Sequence, residues 1–387
     1  MLRIVHIRSR NEFRSGAELI ELGSGQAGEE LHLTGLPLVS VILDRDLPVG
    51  IPNDFLTHVA LRSRSATGDT VRTYAEGLVS WLKFLKERGQ YIEDATEERL
   101  ALFRNNLANQ TARDGRRKYA SATVNIRVAV VEAFYFWGQQ RRVLCTSLGD
   151  FLCTRNAEGR ARVRGSWGRR RSADSLRIAT MERMPRVLSH EEISRLFLVV
   201  RPPFDLMFRW ALATGLRRFE VCALKRSLLP PAQQIAARGM DLVPVDMTRK
   251  GGKCTTVQAP AALVEETLWY CLDRRPSPAA SEYSDYVFLS RLGIPYSRGS
   301  ITREFRRCAD LIGTDATLHH LRHTFATLTL AMLESMEARG RPMNSIKTLQ
   351  VLLGHSNVTT TEVYLRALDV SSENVREALD FLYGATL

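Results

Sequence analysis

A mainly α, multidomain chain is what this sequence predicts: a helical first domain, then a mixed, mostly helical second domain with one small antiparallel β-sheet. Three observations carry the prediction. Apolar residues recur at helical spacing between 69 and 137 and again from 189 onward. Extended stretches of the second half are confined to one pair, 241–247 and 254–259, around the Gly-rich turn RKGGK, which reads as a hairpin. The chain has 387 residues, more than one ordinary core organises.

The elements follow in order. Residues 1–52 form an N-terminal extension whose role the sequence leaves open; 38–43 (LVSVIL) can form a short strand, and Pro37, Pro48 and Pro52 break the rest. A helical domain is expected over 53–154. Val71, Tyr74, Ala75, Leu78, Leu82 and Leu85 lie on one helical face, Asp69 or Thr70 can cap its start, and Gly89 stops it. A second helix spans about 97–107 and a third 121–137, the latter closed by Phe134, Tyr135, Phe136 and Trp137. Residues 155–183 read as a basic, flexible linker. Its stretch 155–171 (RNAEGRARVRGSWGRRR) holds seven arginines against one glutamate, with three glycines. The second domain is expected over 184–387. Ser189 and Glu192 resemble a capping box, a helix over 204–214 ends at Gly215, and further helices follow at 261–274, 300–312 and from 319 to the C-terminus.

Composition narrows the function. Lys and Arg outnumber Asp and Glu by 54 to 42, a net charge of +12, which suits a polyanion. Arg160, Arg162, Arg164, Arg169, Arg170 and Arg171 of the linker could lie along a phosphate backbone, or simply be solvated. The six cysteines are scattered without a CxxC pair, which argues against a zinc ribbon or a disulfide framework. No run of 18 apolar residues predicts a membrane span, and MLRIVHIRSRNEF lacks the apolar core of a secretory signal.

Four short segments carry chemistry. In Thr214-Gly-Leu-Arg-Arg-Phe-Glu220, a helix ending at Gly215 would aim the Arg217 guanidinium out of a helix junction, where it can grip two phosphate oxygens. The alternative is a surface pair with Glu220 at i+3. Arg249-Lys250-Gly-Gly-Lys253 puts lysines on a flexible hairpin tip, where one can protonate a leaving oxygen or merely be solvated. In His319-His320-Leu-Arg322-His323, His319 and Arg322 share a helical face. His319 and His323 have the spacing of a metal pair, but no HExxH glutamate or cysteine accompanies them, and His320 and His323 read as satisfied structural histidines. Last, Leu353-Gly354-His355 is followed nine positions later by Tyr364, which alone would read as a core or interface tyrosine. Together these make a set for phosphodiester attack: cations to neutralise the oxygens, a lysine acid and a phenol nucleophile.

The order and wording of the four segments resemble the tyrosine recombinase family, also called phage integrases. The resemblance is strong over 185–370 and softer over 53–150, with two departures. Arg249 stands where the family turn usually has glycine, and the stretch from Arg322 to His355 is longer than usual, the extra length expected around Met336 to Met343 in a helix–helix connection. It implies a core-binding domain at 53–154 and a catalytic domain at 184–387, closing as a C-shaped clamp on DNA. It also implies a site-specific recombinase working through a 3′-phosphotyrosyl link, with Arg217, Lys250 (rather than Lys253), His319, Arg322 and His355 around the nucleophile Tyr364. Glu220 resembles a carboxylate bracing the first arginine, and Lys253 joins the linker arginines as a DNA contact. No cofactor and no metal are implied. The partners implied are double-stranded DNA and further copies of the chain. The working form would be a homotetramer on DNA, with a monomer or weak dimer when free, a companion recombinase or accessory protein being one option. A cytoplasmic, nucleoid-associated location and a mobile-element or phage origin follow as expectations. The rivals are a type IB topoisomerase and a DNA-binding relative without catalysis. The stretch after Tyr364 has Val375, Ala378, Leu379 and Leu382 on one helical stripe, for packing on its own domain or docking on a neighbouring subunit.

Overall fold

A computed structural model describes residues 2–7, 38–63, 68–163, 176–180, 184–249, 254–355 and 357–370. The chain divides into two compact units, Met1–Met181 and Glu182–Leu387.

In the first unit, β1 (Leu2–Ile7) pairs antiparallel with β2 (Val39–Asp44), in the register Leu2↔Asp44 to Ile7↔Val39, and β3 (Leu47–Pro48) completes the sheet. Five helices follow: α1 (Gly50–Arg62), α2 (Asp69–Lys86), α3 (Glu97–Asn109), α4 (Ser121–Arg141) and α5 (Ser147–Val163). Their apolar faces meet around Trp81, which lies 5.1 Å from the Phe103 ring and 5.5 Å from Phe84. The polar atoms there are paired in series: Trp81 Nε1 donates to Tyr135 Oη at 3.0 Å, and that hydroxyl donates to the Ile92 carbonyl at 2.9 Å.

Several boundaries differ from the sequence reading. Leu2 and Ile42 share the core of these helices, and α1 begins before residue 53, so the described part of 1–52 packs with the helical domain. Helix α2 has Gly68 at its N-cap, without a side-chain cap, and ends at Lys86; Gly89 takes φ +63° just beyond. The described parts of the expected linker 155–183 belong to the first unit. α5 runs on to Val163, Leu176 is buried in the first unit's core, and Ile178 exchanges two 2.8 Å hydrogen bonds with the Asn125 amide. Apolar anchors 176 and 178 outweigh the composition that suggested a free segment.

The second unit begins with α6 (His190–Val199), where Ser189 and Glu192 close the expected capping box. Then come α7 (Phe204–Thr214), the short α8 (Arg218–Cys222), α9 (Ala232–Arg238), the hairpin β4 (Leu242–Thr248) and β5 (Cys254–Pro260), α10 (Ala261–Asp273) and α11 (Arg298–Ile312). The hairpin pairs Leu242↔Pro260 through Thr248↔Cys254. Val243, Val245 and Met247 face the core while Leu242, Pro244, Asp246 and Thr248 face out, the period of two expected of a half-buried strand. The helices expected from 319 onward are α12 (Leu318–Ala338), α13 (Ser345–Leu353) and α14 (Thr359–Val370). Gly340 and Gly354, at φ +84° and +61°, end the first two of them. Val375, Ala378, Leu379 and Leu382 lie outside the described residues. Among the described residues no helix is long and apolar enough to cross a membrane.

Candidate active site

Three helix ends of the second unit converge, and their unsatisfied backbone groups explain how the side chains are held. Helix α7 stops because Gly215 turns the chain at φ +65°; a Cβ there would come within 2.5 Å of the Phe325 ring. The next turn makes Arg217 the N-cap of α8. Arg217 N donates to Glu220 Oε2 at 2.7 Å and its Nη1 donates to Glu220 Oε1 at 3.2 Å. The i+3 pair weighed in the sequence is therefore formed. It is no surface pair, because Glu220 is fully buried while Arg217 keeps a quarter of its side chain exposed.

Arg322, one turn into α12, is 2% exposed. Its Nη1 donates to the Gly215 carbonyl at the C-cap of α7, and its Nη2 to the Leu353 carbonyl at the end of α13, at 2.9 Å. Helix C-termini offer free carbonyls at the negative end of the dipole, so they receive a buried guanidinium well. The same Nη2 lies 2.9 Å from His355 Nε2, and His355 Nδ1 lies 3.0 Å from Thr361 Oγ1. Arginine has no acceptor, so Nε2 must accept and the proton sits on Nδ1, donated to Thr361.

The histidines of α12 separate by role. His320 Nδ1 accepts from the Thr317 backbone N–H at 3.1 Å, a structural cap as the sequence suggested. The ring of His319 stands edge-on to His323 at 4.4 Å. His323 Nδ1 lies 3.1 Å from the Tyr364 hydroxyl. Tyr364 itself is 3% exposed, on α14 among Ala326, Leu330, Leu349 and Leu353.

Burial and positive charge keep the histidines neutral. Burial first, then Arg322 and Arg217, press His355 down to about 3. Groups packed around the His319 ring, then Arg322 and Arg217, hold it at about 4, although the residue as a whole is exposed. Burial and the neighbouring His319 take His323 to about 4 as well. Burial lowers Arg322 to about 10, with Arg217 contributing. Tyr364 is raised by burial, and the Arg322 and Arg217 charges pull it back. Both arginines thus act electrostatically on the same hydroxyl.

Arg217, Glu220, Arg322, His355 and Tyr364 are brought together, with His319 beside them through His323. Lys250, Lys253, Arg164, Arg169, Arg170 and Arg171 lie outside the described residues, as do the side chains of Arg160 and Arg162. Two groups escaped the sequence reading. His323 was taken as structural, and only its contact with a residue 41 positions away marks it. Arg249 was noted as a departure in the turn; it is 2% exposed and lies 3.7 Å from Glu220. Among the described residues no cluster of three or more His, Cys, Asp or Glu could hold a metal ion.

Comparison with known proteins places this geometry in context. Residues 186–370 match the Phage integrase family, and residues 53–142 match the Phage integrase N-terminal SAM-like domain. The chain belongs to the phage integrase family. Every residue of the cluster falls inside the 186–370 match. Tyrosine recombinase XerA of Thermococcus kodakarensis is 30% identical over 201 residues, covering 50% of this chain and 62% of that protein. The chain thus spans less than two thirds of the length of that curated relative. Among solved structures, the XerH site-specific recombinase bound to a palindromic difH substrate, a post-cleavage complex, matches with a TM-score of 0.56 at 15% identity over 82% of both chains. A lambda integrase dimer bound to a COC′ core site matches with a TM-score of 0.53 at 17% identity, over 81% of this chain and 93% of that one. At such identities these two show a shared fold.

Proposed function

We propose that the protein is a site-specific DNA recombinase that cuts and rejoins strands through a 3′-phosphotyrosyl intermediate. The observation that carries this reading is the convergence of Arg217, Arg322 and His355 around the nucleophile candidate Tyr364, on helix ends joined by shared hydrogen bonds.

Tyr364 Oη attacks the scissile phosphorus as the bond to the 5′ oxygen breaks. Arg217 and Arg322 take up charge growing on the non-bridging oxygens. Gly215, Leu353 and His355 occupy three of the five N–H donor positions of Arg322, which leaves two for phosphate. An incoming phosphate oxygen competes with His355 for the Arg322 N–H. His355 can then take a proton on Nε2 and donate in its turn. The phenol proton passes to an imidazole: His319 by family resemblance, or His323, whose Nδ1 already meets the hydroxyl. Lys250 protonates the departing 5′ oxygen. A 5′-hydroxyl from a second duplex reverses the step, so the ester energy is conserved without ATP. Because Tyr364 is 3% exposed, DNA engagement includes a shift of α14 that brings the hydroxyl to the phosphate.

Exchange between two duplexes takes four such sites, hence a homotetramer on double-stranded DNA, with a companion recombinase as one arrangement. The linker arginines and Lys253 supply phosphate contacts, consistent with the net charge of +12. Covalent capture on fragmented genomic DNA identifies the target, and two circles bearing it are then mixed with the protein. Recombinant circles are the expected product. Relaxation of supercoils alone would favour the type IB topoisomerase reading, and binding without any covalent complex would favour a non-catalytic relative.

A further inference from the structure

We infer that Arg249 is a positioning residue for strand cleavage, anchoring the end of β4, and with it the Lys250 that follows, to both phosphate-binding arginines. The inference rests on Lys250 being the acid of the proposed reaction.

A basic residue at a hairpin tip is ordinarily solvated. Arg249 is 2% exposed instead, and its guanidinium is committed on every side. Nε donates to Thr255 Oγ1 at 2.9 Å, across the hairpin. Nη2 donates to the Leu352 carbonyl and Nη1 to the Leu353 carbonyl, each at 3.0 Å, while Nη1 lies 3.7 Å from Glu220 Oε2. Only a planar fork can meet two successive helix-end carbonyls and a carboxylate together; an ammonium is a point donor. Gly354 leaves the room for it, since a Cβ there would sit 3.0 Å from Arg249 Nε and 3.1 Å from Cζ.

Two atoms make this anchor part of the site. The Leu353 carbonyl that receives Arg249 also receives Arg322 Nη2. The Glu220 oxygen that faces Arg249 also receives the Arg217 backbone N–H. One shared acceptor therefore ties the end of β4 to each arginine. With the anchor gone, the strand end can drift relative to the phosphate, so protonation of the leaving oxygen suffers more than phosphate binding does.

The test compares two suicide duplexes carrying the captured target sequence, one with an ordinary scissile phosphate and one with a 5′-bridging sulfur. Cleavage of the second breaks a P–S bond and releases a thiolate, which needs no proton from an acid. Arg249→Lys and Arg249→Met are expected to cut the ordinary duplex about 100-fold slower, the scale of a misplaced catalytic group. Both should cut the sulfur duplex at close to the wild-type rate, with unchanged DNA affinity. Arg249→Lys carries the test if Arg249→Met does not fold. Lys250→Ala is the control. If sulfur rescues Lys250→Ala but not the Arg249 variants, the anchor supports the fold or the phosphate site and the inference is overturned. If sulfur fails to rescue Lys250→Ala, the acid assignment falls first and takes the inference with it.

Discussion

Trp81 in the first unit and Arg322 in the second are both buried, at 0% and 2% exposure, and opposite physics buries them. Trp81 sits among the Phe84, Phe103 and Tyr135 rings, where removing apolar surface from water is itself favourable and one hydrogen bond satisfies the indole. Arg322, Arg249 and Glu220 bring charge into a poorly solvated place. That costs free energy, which hydrogen bonds to helix ends only partly offset. Well-packed apolar residues of similar volume would often be as stable or better. A fold gains little from such a network, so its presence points to chemistry, whereas the Trp81 cluster accounts for itself.

Breaking each region tests that contrast. Glu220→Leu leaves Arg249 and Arg217 without their carboxylate; stability should fall by about 3–5 kcal/mol, with cleavage lost as well. Phe103→Ala opens a cavity in the first unit and should cost a similar 3–5 kcal/mol or so, yet leave cleavage per folded molecule unchanged. Urea titration gives the first quantity and single-turnover covalent-complex formation the second. If Phe103→Ala impairs chemistry as much as Glu220→Leu does, the division between the regions fails. Arg217→Lys keeps the charge but loses the fork, so cleavage should slow by roughly 10²–10³ with a melting midpoint near wild type. A loss below tenfold would remove Arg217 from the chemistry.

The smallest effect concerns acid. His355 is held at about 3, and His319 and His323 at about 4, all below the ordinary histidine value. Between roughly pH 6.5 and 4 the unfolded chain therefore binds protons that the folded chain refuses, and stability falls as pH drops through that window. Hydrogen exchange, corrected for intrinsic rates, should show residues 184–370 losing more protection from pH 7.5 to 5 than residues 68–163. Equal losses would mean the three imidazoles are not neutral in the fold.

What could be read from sequence follows from the range of the interactions. Helix α2 was legible in Val71, Ala75, Leu78, Leu82 and Leu85, because one buried face imposes a local period. The hairpin was legible for the same reason, and the arginine, histidine and tyrosine motifs because their wording is local. Pairing of β1 with β2 was not legible, since more than thirty residues separate Leu2 from Val39 and nothing near Leu2 announces a partner. The role of Arg249 was not legible because its carbonyl acceptors are 103 and 104 positions away. His323 and its phenol partner illustrate the same limit.

The most direct measurement of the central claim is the identity of the residue joined to DNA. The protein is incubated with a nicked duplex carrying its captured target, the trapped complex is digested, and the nucleotide-bearing peptide is sequenced by mass spectrometry. The account predicts a phosphotyrosyl bond at Tyr364, with Tyr364→Phe binding the duplex and forming no adduct. An adduct on another residue, or one that persists in Tyr364→Phe, would contradict it.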